Sequence, residues 1–180
     1  AGWAKGYDIV VHNECYAEVN DKAFVESIAK AHSESGVPGV VIHGTLHAYR
    51  NLDKQTDAWR LFLGVTSVRH EAGGKTLKMT VAKADSPIVM GLPADWSLKN
   101  EELYVIEKEW PNCVPLVTAQ SNEDPKKNRT VVWTNTCGPV TGEHTLTQGS
   151  PILGMTVGNG VPITLSDGLV LAETGGQTAV

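Results

Sequence analysis

Long apolar runs are missing from this chain. None approaches the ~20 residues that a helix needs to cross a bilayer, so the sequence offers no transmembrane segment and no membrane partner. A basic face is missing too. The net charge is −5, and Lys126-Lys127-Asn128-Arg129, the only basic cluster, reads as a solvated loop rather than the stripe a nucleic-acid partner requires. Cysteine is scarce: Cys15, Cys113 and Cys137 lie far apart with no CxxC pair, which suggests reduced thiols, with one bridge left open. That sparse set leans toward a cytoplasmic setting. No signal-peptide-like segment opens the chain, which says little about compartment, and the glycosylation triplet Asn128-Arg129-Thr130 matters only in a secreted eukaryotic protein. Phosphate-binding motifs are also lacking. No GxGxxG follows a strand and no GxxxxGK[ST] occurs, so neither nucleotide nor flavin is expected, and there is no GxSxG elbow for a serine nucleophile.

What remains is an ordinary globular composition, 41% hydrophobic and 19% charged over 180 residues, enough for one domain with a sizeable core. The chain is organised around Gly39-Val40-Val41-Ile42-His43-Gly44-Thr45-Leu46-His47: a buried β-branched run that breaks at a histidine and a glycine, with a second histidine four residues on. If a helix follows Gly44, His43 and His47 share one side of it. Asp8-Ile9-Val10-Val11-His12-Asn13-Glu14 repeats the pattern, and residues 21–32 between them carry helical spacing behind an Asn20-Asp21 cap. This predicts a parallel βαβ unit whose strands end with His12 and His43 side by side, at the edge where open α/β sheets bind ligands. Further on, the pattern predicts a helix over 56–63, loop over 70–74, strands over 76–83, 102–107, 114–119, 130–134 and 151–157, an irregular stretch ending at Trp96, and a short helix over 166–173 before a loose tail.

Two or three imidazoles with a carboxylate and an open position make a catalytic metal site. His12, His43 and His47, with Glu14 or Glu102 as carboxylate, meet that count, and zinc is the foremost divalent candidate. The plainer alternative is that His43 is bonded in the core and His47 caps a turn. His70 is a further base or ligand, or a surface loop residue; His32 and His144 read as structural or exposed. Arg50, beside Tyr49, could orient a polyol or carboxylate, or pair with Asp53 or Asp57. Of the tryptophans, Trp59, Trp110 and Trp133 suit a core, and Trp96 is the best sugar-stacking candidate. Glu101 and Glu102 lead into a strand, so alternation lets only one face a pocket. A Cys15–His12 nucleophile pair lies on one short loop with no third group to orient the base.

The order of Tyr7-Asp8-Ile9-Val10-Val11 with His12-Asn13-Glu14, Val41-Ile42-His43, Asp85-Ser86-Pro87-Ile88 with Gly91-Leu92-Pro93, Glu101-Glu102-Leu103-Tyr104 and Val132-Trp133-Thr134-Asn135 resembles the trehalose-utilisation (ThuA-like) family. The resemblance implies a single three-layer α/β domain over 1–180, a mostly parallel sheet with helices on both faces (flavodoxin-like, or class I glutamine amidotransferase-like). His43-Gly44 stands where those amidotransferases carry a nucleophilic cysteine, so thiol amide chemistry is not implied. Three departures stand out. The first strand and helix of relatives have no counterpart before Tyr7, which predicts a truncated edge and self-association or altered carboxyl-terminal packing. Ser86 replaces a usual histidine, and 138–180 diverges, with Gly158-Asn159-Gly160 in place of a Gly-His turn. The resemblance favours Glu102 as the acid/base carboxylate. It implies a hydrolase or lyase acting on a glycoside or keto-sugar, and the residue types and spacing supply the rest: catalytic His43 and His70 with Glu102, substrate contacts from Glu14, Tyr49, Arg50 and Trp96, and metal ligands His12, His43 and His47. Two other readings stay open: a lactone or ester hydrolase using metal-bound water, and a non-catalytic ligand-binding or interaction module.

Overall fold

A computed structural model describes residues 2–138 and the strand backbones at Glu143–His144, Thr147–Gln148 and Pro151–Met155. The His144 side chain, the turn at 158–160, the helix expected over 166–173 and the tail lie outside the described residues.

The first half follows the predicted βαβ unit. Strand β1 (Val10–His12), helix α1 (Lys22–Ser33) and strand β2 (Gly39–Ile42) come in order, and β1 and β2 pair in parallel with Val11 opposite Val40. The α1 cap is Asp21, whose carboxylate accepts from the Phe24 backbone N–H at 2.9 Å. The helix then buries Val25, Ile28 and Ala29 against the sheet. After β2 the chain does not enter an α-helix. It makes two 3-10 turns, His43–His47 and Arg50–Leu52, before the short helix α2 (Ala58–Leu63), which Gly64 ends at φ 81°.

The second half is a run of strands: β3 (Val65–His70), β4 (Lys75–Val81), β5 (Asp95–Glu101), β6 (Tyr104–Glu109), β7 (Val114–Gln120), β8 (Asn128–Thr136), β9 (Glu143–His144), β10 (Thr147–Gln148) and β11 (Pro151–Met155). The main sheet runs β1-β2-β11-β8-β7-β4-β5, while β3 pairs with β6 and β9 with β10. Here the expected mostly parallel, three-layer sheet needs correction. Only β1–β2 and β2–β11 are parallel; β11–β8, β8–β7, β7–β4 and β4–β5 are antiparallel. The cause is connection length, because a parallel pair needs a crossover of a dozen residues or more, and β7 reaches β8 over a short polar turn. Two local expectations also change. Residues 65–70 form a strand that the sequence pattern did not reveal, and Trp96 belongs to β5 rather than to an irregular segment.

Alternate residues of β2 feed two cores. Val41 joins α1, α2 and Trp133 on one face, and Val40 joins Leu77, Met79, Ile88 and Val132 on the other. Among the described residues both α-helices pack into the first core, not on opposite faces as expected. Strand β8 also terminates α2: Trp133 Nε1 donates to the Leu63 carbonyl at 2.7 Å, and Asn135 Nδ2 donates to those of Leu61 and Phe62, each at 2.9 Å. A helix end buried in a core needs such donors for its carbonyls. Asn135→Ala would strand two of them, and a loss of about 1–3 kcal/mol is expected in urea unfolding, with secondary structure by circular dichroism retained.

Candidate functional site

The turn His43–His47 decides where the imidazoles go. In an α-helix residues four apart lie about 40° from each other, whereas three residues per turn place them about 120° apart. The two histidines therefore diverge. His47 turns inward, with its Nε2 3.1 Å from Ser67 Oγ and its ring stacked on Tyr104 at 4.1 Å. Ser67 gives its own proton to the Arg69 carbonyl, so it accepts from His47. Burial, and next the charge of Arg50, push the His47 pKa down to about 4, leaving a neutral ring. His43 itself has φ 39°, a left-handed conformation that disfavours any side chain with a Cβ.

Glu102 gathers the other two. It lies in the two-residue link between β5 and β6, where its Oε1 accepts from His43 Nε2 at 3.0 Å and its Oε2 lies 3.1 Å from His70 Nδ1. His70 ends β3, opposite Tyr104 of β6, and its Nδ1–H also meets the Glu71 carbonyl at 2.8 Å. A carbonyl accepts only, so Nδ1 carries a proton, on a side chain 46% exposed. Tyr104 floors the group, its ring 4.7 Å from His43 and 5.9 Å from His70, and burial pushes its hydroxyl up to about 12. The three residues expected to be catalytic thus share one cluster. His43 Nδ1 is buried there without a hydrogen-bond partner.

Glu101 is the last residue of β5, immediately before Glu102. Asn100, at φ 61°, interrupts the extended backbone immediately before it, and the β4–β5 register is irregular between Lys75 and Leu77. Glu101 is only 6% exposed. Its carboxyl is raised above the usual range by burial, against the pull of His43 and with the push of Glu102. The sequence signal that could have found it was the Asn-Glu-Glu run itself, since asparagine tolerates left-handed backbone.

His12 lies elsewhere, in a buried cluster among Trp59, Phe62 and the half-exposed Trp3. Its Nδ1 is 2.9 Å from Glu14 Oε1 and its Nε2 2.9 Å from His32 Nε2, while His32 Nδ1 donates to the Val37 carbonyl at 2.7 Å. Burial pushes His32 down to about 4, so its Nε2 accepts and His12 Nε2 must donate. Glu14 is held below the usual carboxylate range, burial being outweighed by its hydrogen bond to His12 and the charge beside it. The expected His12, His43 and His47 ligand triad is therefore not assembled. Both His12 nitrogens are engaged, and among the described residues no three His, Cys, Asp or Glu converge on one metal position.

The remaining expected contacts separate. Tyr49 is buried, and its hydroxyl donates to Glu14 at 3.2 Å rather than facing a ligand. Arg50 is exposed and touches only the Val68 carbonyl, at 3.5 Å, while Asp53 pairs with Arg60. Trp96 is the second residue of β5, about 16 Å along the strand from Glu101 at ~3.3 Å per residue, which removes it from the site. Ser86 caps a 3-10 turn, accepting from the Ile88 N–H. All three cysteines are free, and Cys15 packs beside Gly44.

A family model described as ThuA, trehalose utilisation, matches residues 4–149. Among solved structures, a ThuA-like protein from Bacteroides uniformis aligns at TM-score 0.59 and 15% identity, covering 83% of this chain and 59% of its own. A ThuA-like protein from Parabacteroides merdae aligns at TM-score 0.54 and 16% identity, covering 84% and 60%. The chain thus spans about 60% of the length of these structures. No curated protein matches it.

The two buried neutral imidazoles set a pH dependence. With folded pKa values near 4 against an ordinary 6.5, His32 and His47 refuse protons that the unfolded chain accepts. Their contribution is complete above pH 6.5 and lost as pH falls toward 4. At ~1.4 kcal/mol per unit, of order 2 kcal/mol each is at stake. His47→Gln should flatten the fall in urea-unfolding free energy between pH 7 and pH 4.5 by about that amount; an unchanged slope would count against a neutral His47.

Proposed function

The chain belongs to the ThuA, trehalose utilisation, family, and from that premise and the Glu102 cluster we propose that it is an acid–base enzyme, a hydrolase or lyase acting on a glycoside or keto-sugar. One observation carries the reading: the Glu102 carboxylate accepts from His43 and lies 3.1 Å from His70 Nδ1, on a His70 side chain that is 46% exposed. A histidine oriented this way is a general base, and the carboxylate behind it stabilises the imidazolium formed when it takes a proton. The proton would come from a carbon next to a sugar carbonyl, in a lyase, or from an attacking water, in a hydrolase. His43 supplies the second imidazole. The sugar class rests on the family description alone.

Among the described residues no three His, Cys, Asp or Glu converge on one metal position, so no step is routed through a metal. The test is turnover of a panel of glycosides and their keto derivatives by wild type, His70→Ala and Glu102→Ala. Each variant is expected to lose about 10²-fold or more in kcat with the fold intact. Undiminished turnover in both would remove the cluster from the chemistry. Sugar binding by calorimetry without any turnover would favour the ligand-binding module instead.

A further inference from the structure

His70 ends β3, and its own strand does little to fix it there. The β3–β6 register is irregular between Ser67 and His70, and the His70 side chain is 46% exposed, so the ladder alone does not set the ring. The next residue is held far more firmly. Glu71 is 1% exposed, and its carboxylate accepts from three donors of the turn between β7 and β8: Ser121 Oγ, the Asn122 N–H at 2.8 Å and the Glu123 N–H at 3.3 Å. Ser121 Oγ itself accepts from the Asp124 N–H at 2.9 Å, so the hydroxyl proton is the one given to Glu71. A carboxylate buried to this degree needs such donors. The Glu71 backbone, in turn, faces the cluster. Its N–H donates at 2.7 Å to the carbonyl of Leu103, the residue after Glu102, and its own carbonyl accepts from His70 Nδ1 at 2.8 Å. On the other side of His70, Arg69 pairs with Glu123 of the same turn at 3.1 Å, but both side chains are exposed and such a pair holds weakly.

We propose that Glu71 is a positioning residue for the candidate base: its carboxylate, clamped by the β7–β8 turn, sets where the His70 imidazole stands against Glu102. The inference rests on the acid–base reading above and adds the residue that holds the base in place. The contacts form a continuous chain. The turn grips the Glu71 carboxylate, the Glu71 backbone bonds to Leu103 through its N–H and to the His70 ring through its carbonyl, and Glu102 lies 3.1 Å from that ring. At 1% exposure Glu71 cannot meet a substrate, so it acts through His70 alone. Displacing a reacting group by about 1 Å is enough to cost on the order of 10²-fold in rate. A carboxylate that only closed the β7–β8 turn would, when removed, leave the His70 segment where it is, and that difference can be measured.

The test compares Glu71→Ala with Glu71→Gln on the same panel of glycosides and keto derivatives. Glutamine keeps an oxygen for the two backbone N–H groups and presents an amide N–H to Ser121 Oγ, so it preserves the clamp. Glu71→Ala should lose about 10-fold or more in kcat with KM within a few-fold, and Glu71→Gln should stay within a few-fold of wild type in both. Wild-type kcat in Glu71→Ala, or an equal loss in the two variants, would overturn the assignment while leaving the acid–base reading in place. Absence of wild-type turnover would overturn the reading and the assignment together. Amide hydrogen exchange by NMR supplies a readout without substrate. The residue-71 N–H, bonded to the Leu103 carbonyl, should exchange about 10-fold or more faster in Glu71→Ala than in wild type or Glu71→Gln, with the β8 amides unchanged. An equally protected residue-71 amide in all three proteins would show that the segment stands without the carboxylate and would overturn the proposal. If Glu71→Ala does not fold, Ser121→Ala removes a single donor and is read the same way: faster exchange at the Glu71 N–H with a smaller fall in kcat is expected, and no change in either counts against the clamp.

Discussion

The carboxylate of Glu102 is the clasp on which the candidate site depends. It joins three segments distant in sequence: the turn after β2 through His43, the end of β3 through His70, and its own link between β5 and β6. The hydrogen bond from His43 fixes that ring's orientation, while His70 is held by its bond to the Glu71 carbonyl with Glu102 alongside. The rest of the architecture places those segments within reach. The pairing of β3 with β6 sets His70 opposite Tyr104, and the Tyr104 ring stacks under His47 and flanks His43.

Strain and burial accompany the clasp. His43 adopts left-handed backbone immediately after a buried strand, and Tyr49 and Asn100, which lie between cluster members in sequence, do the same. Each such non-glycine residue costs of order 1–3 kcal/mol and survives only where its surroundings hold it. The surroundings are visible: Thr45 Oγ1 donates to the His12 carbonyl at 3.0 Å, and the Tyr49 N–H donates to the Tyr16 carbonyl at 2.9 Å. The loop after β1 and the loop after β2 are thus tied together. That gives the His12–Glu14–His32 network a structural part near the chemistry without direct contact with the Glu102 cluster.

Much of the first half was legible because its signals are local. A buried β-branched run, an aspartate cap and helical spacing specify β1, α1 and β2 without help from distant residues. His43, His70 and Glu102 could be named for the site, but their meeting could not be derived from spacing. The HxxxH pattern pointed to a shared metal because it presumed α-helical geometry, and the 3-10 turn removed that. His12 was drawn away by a partner on α1 that the sequence did not advertise as one. The sheet's antiparallel character was implicit in its short connections, and β3 stayed hidden because Val-Thr-Ser-Val-Arg-His lacks clean alternation.

The position of β11 has a consequence for how the molecule is made. It lies between β2 and β8, parallel to one and antiparallel to the other, and it comes after every other described strand in the chain. The two halves of the main sheet therefore have no direct ladder between them until the polypeptide has been synthesised past Met155. A nascent chain carries β2 and β8 with a gap the width of one strand, exposing backbone donors and acceptors to neighbours. Pairing at such long sequence separation is slow, so the late-arriving segment acts as a keystone whose absence favours association between incomplete chains.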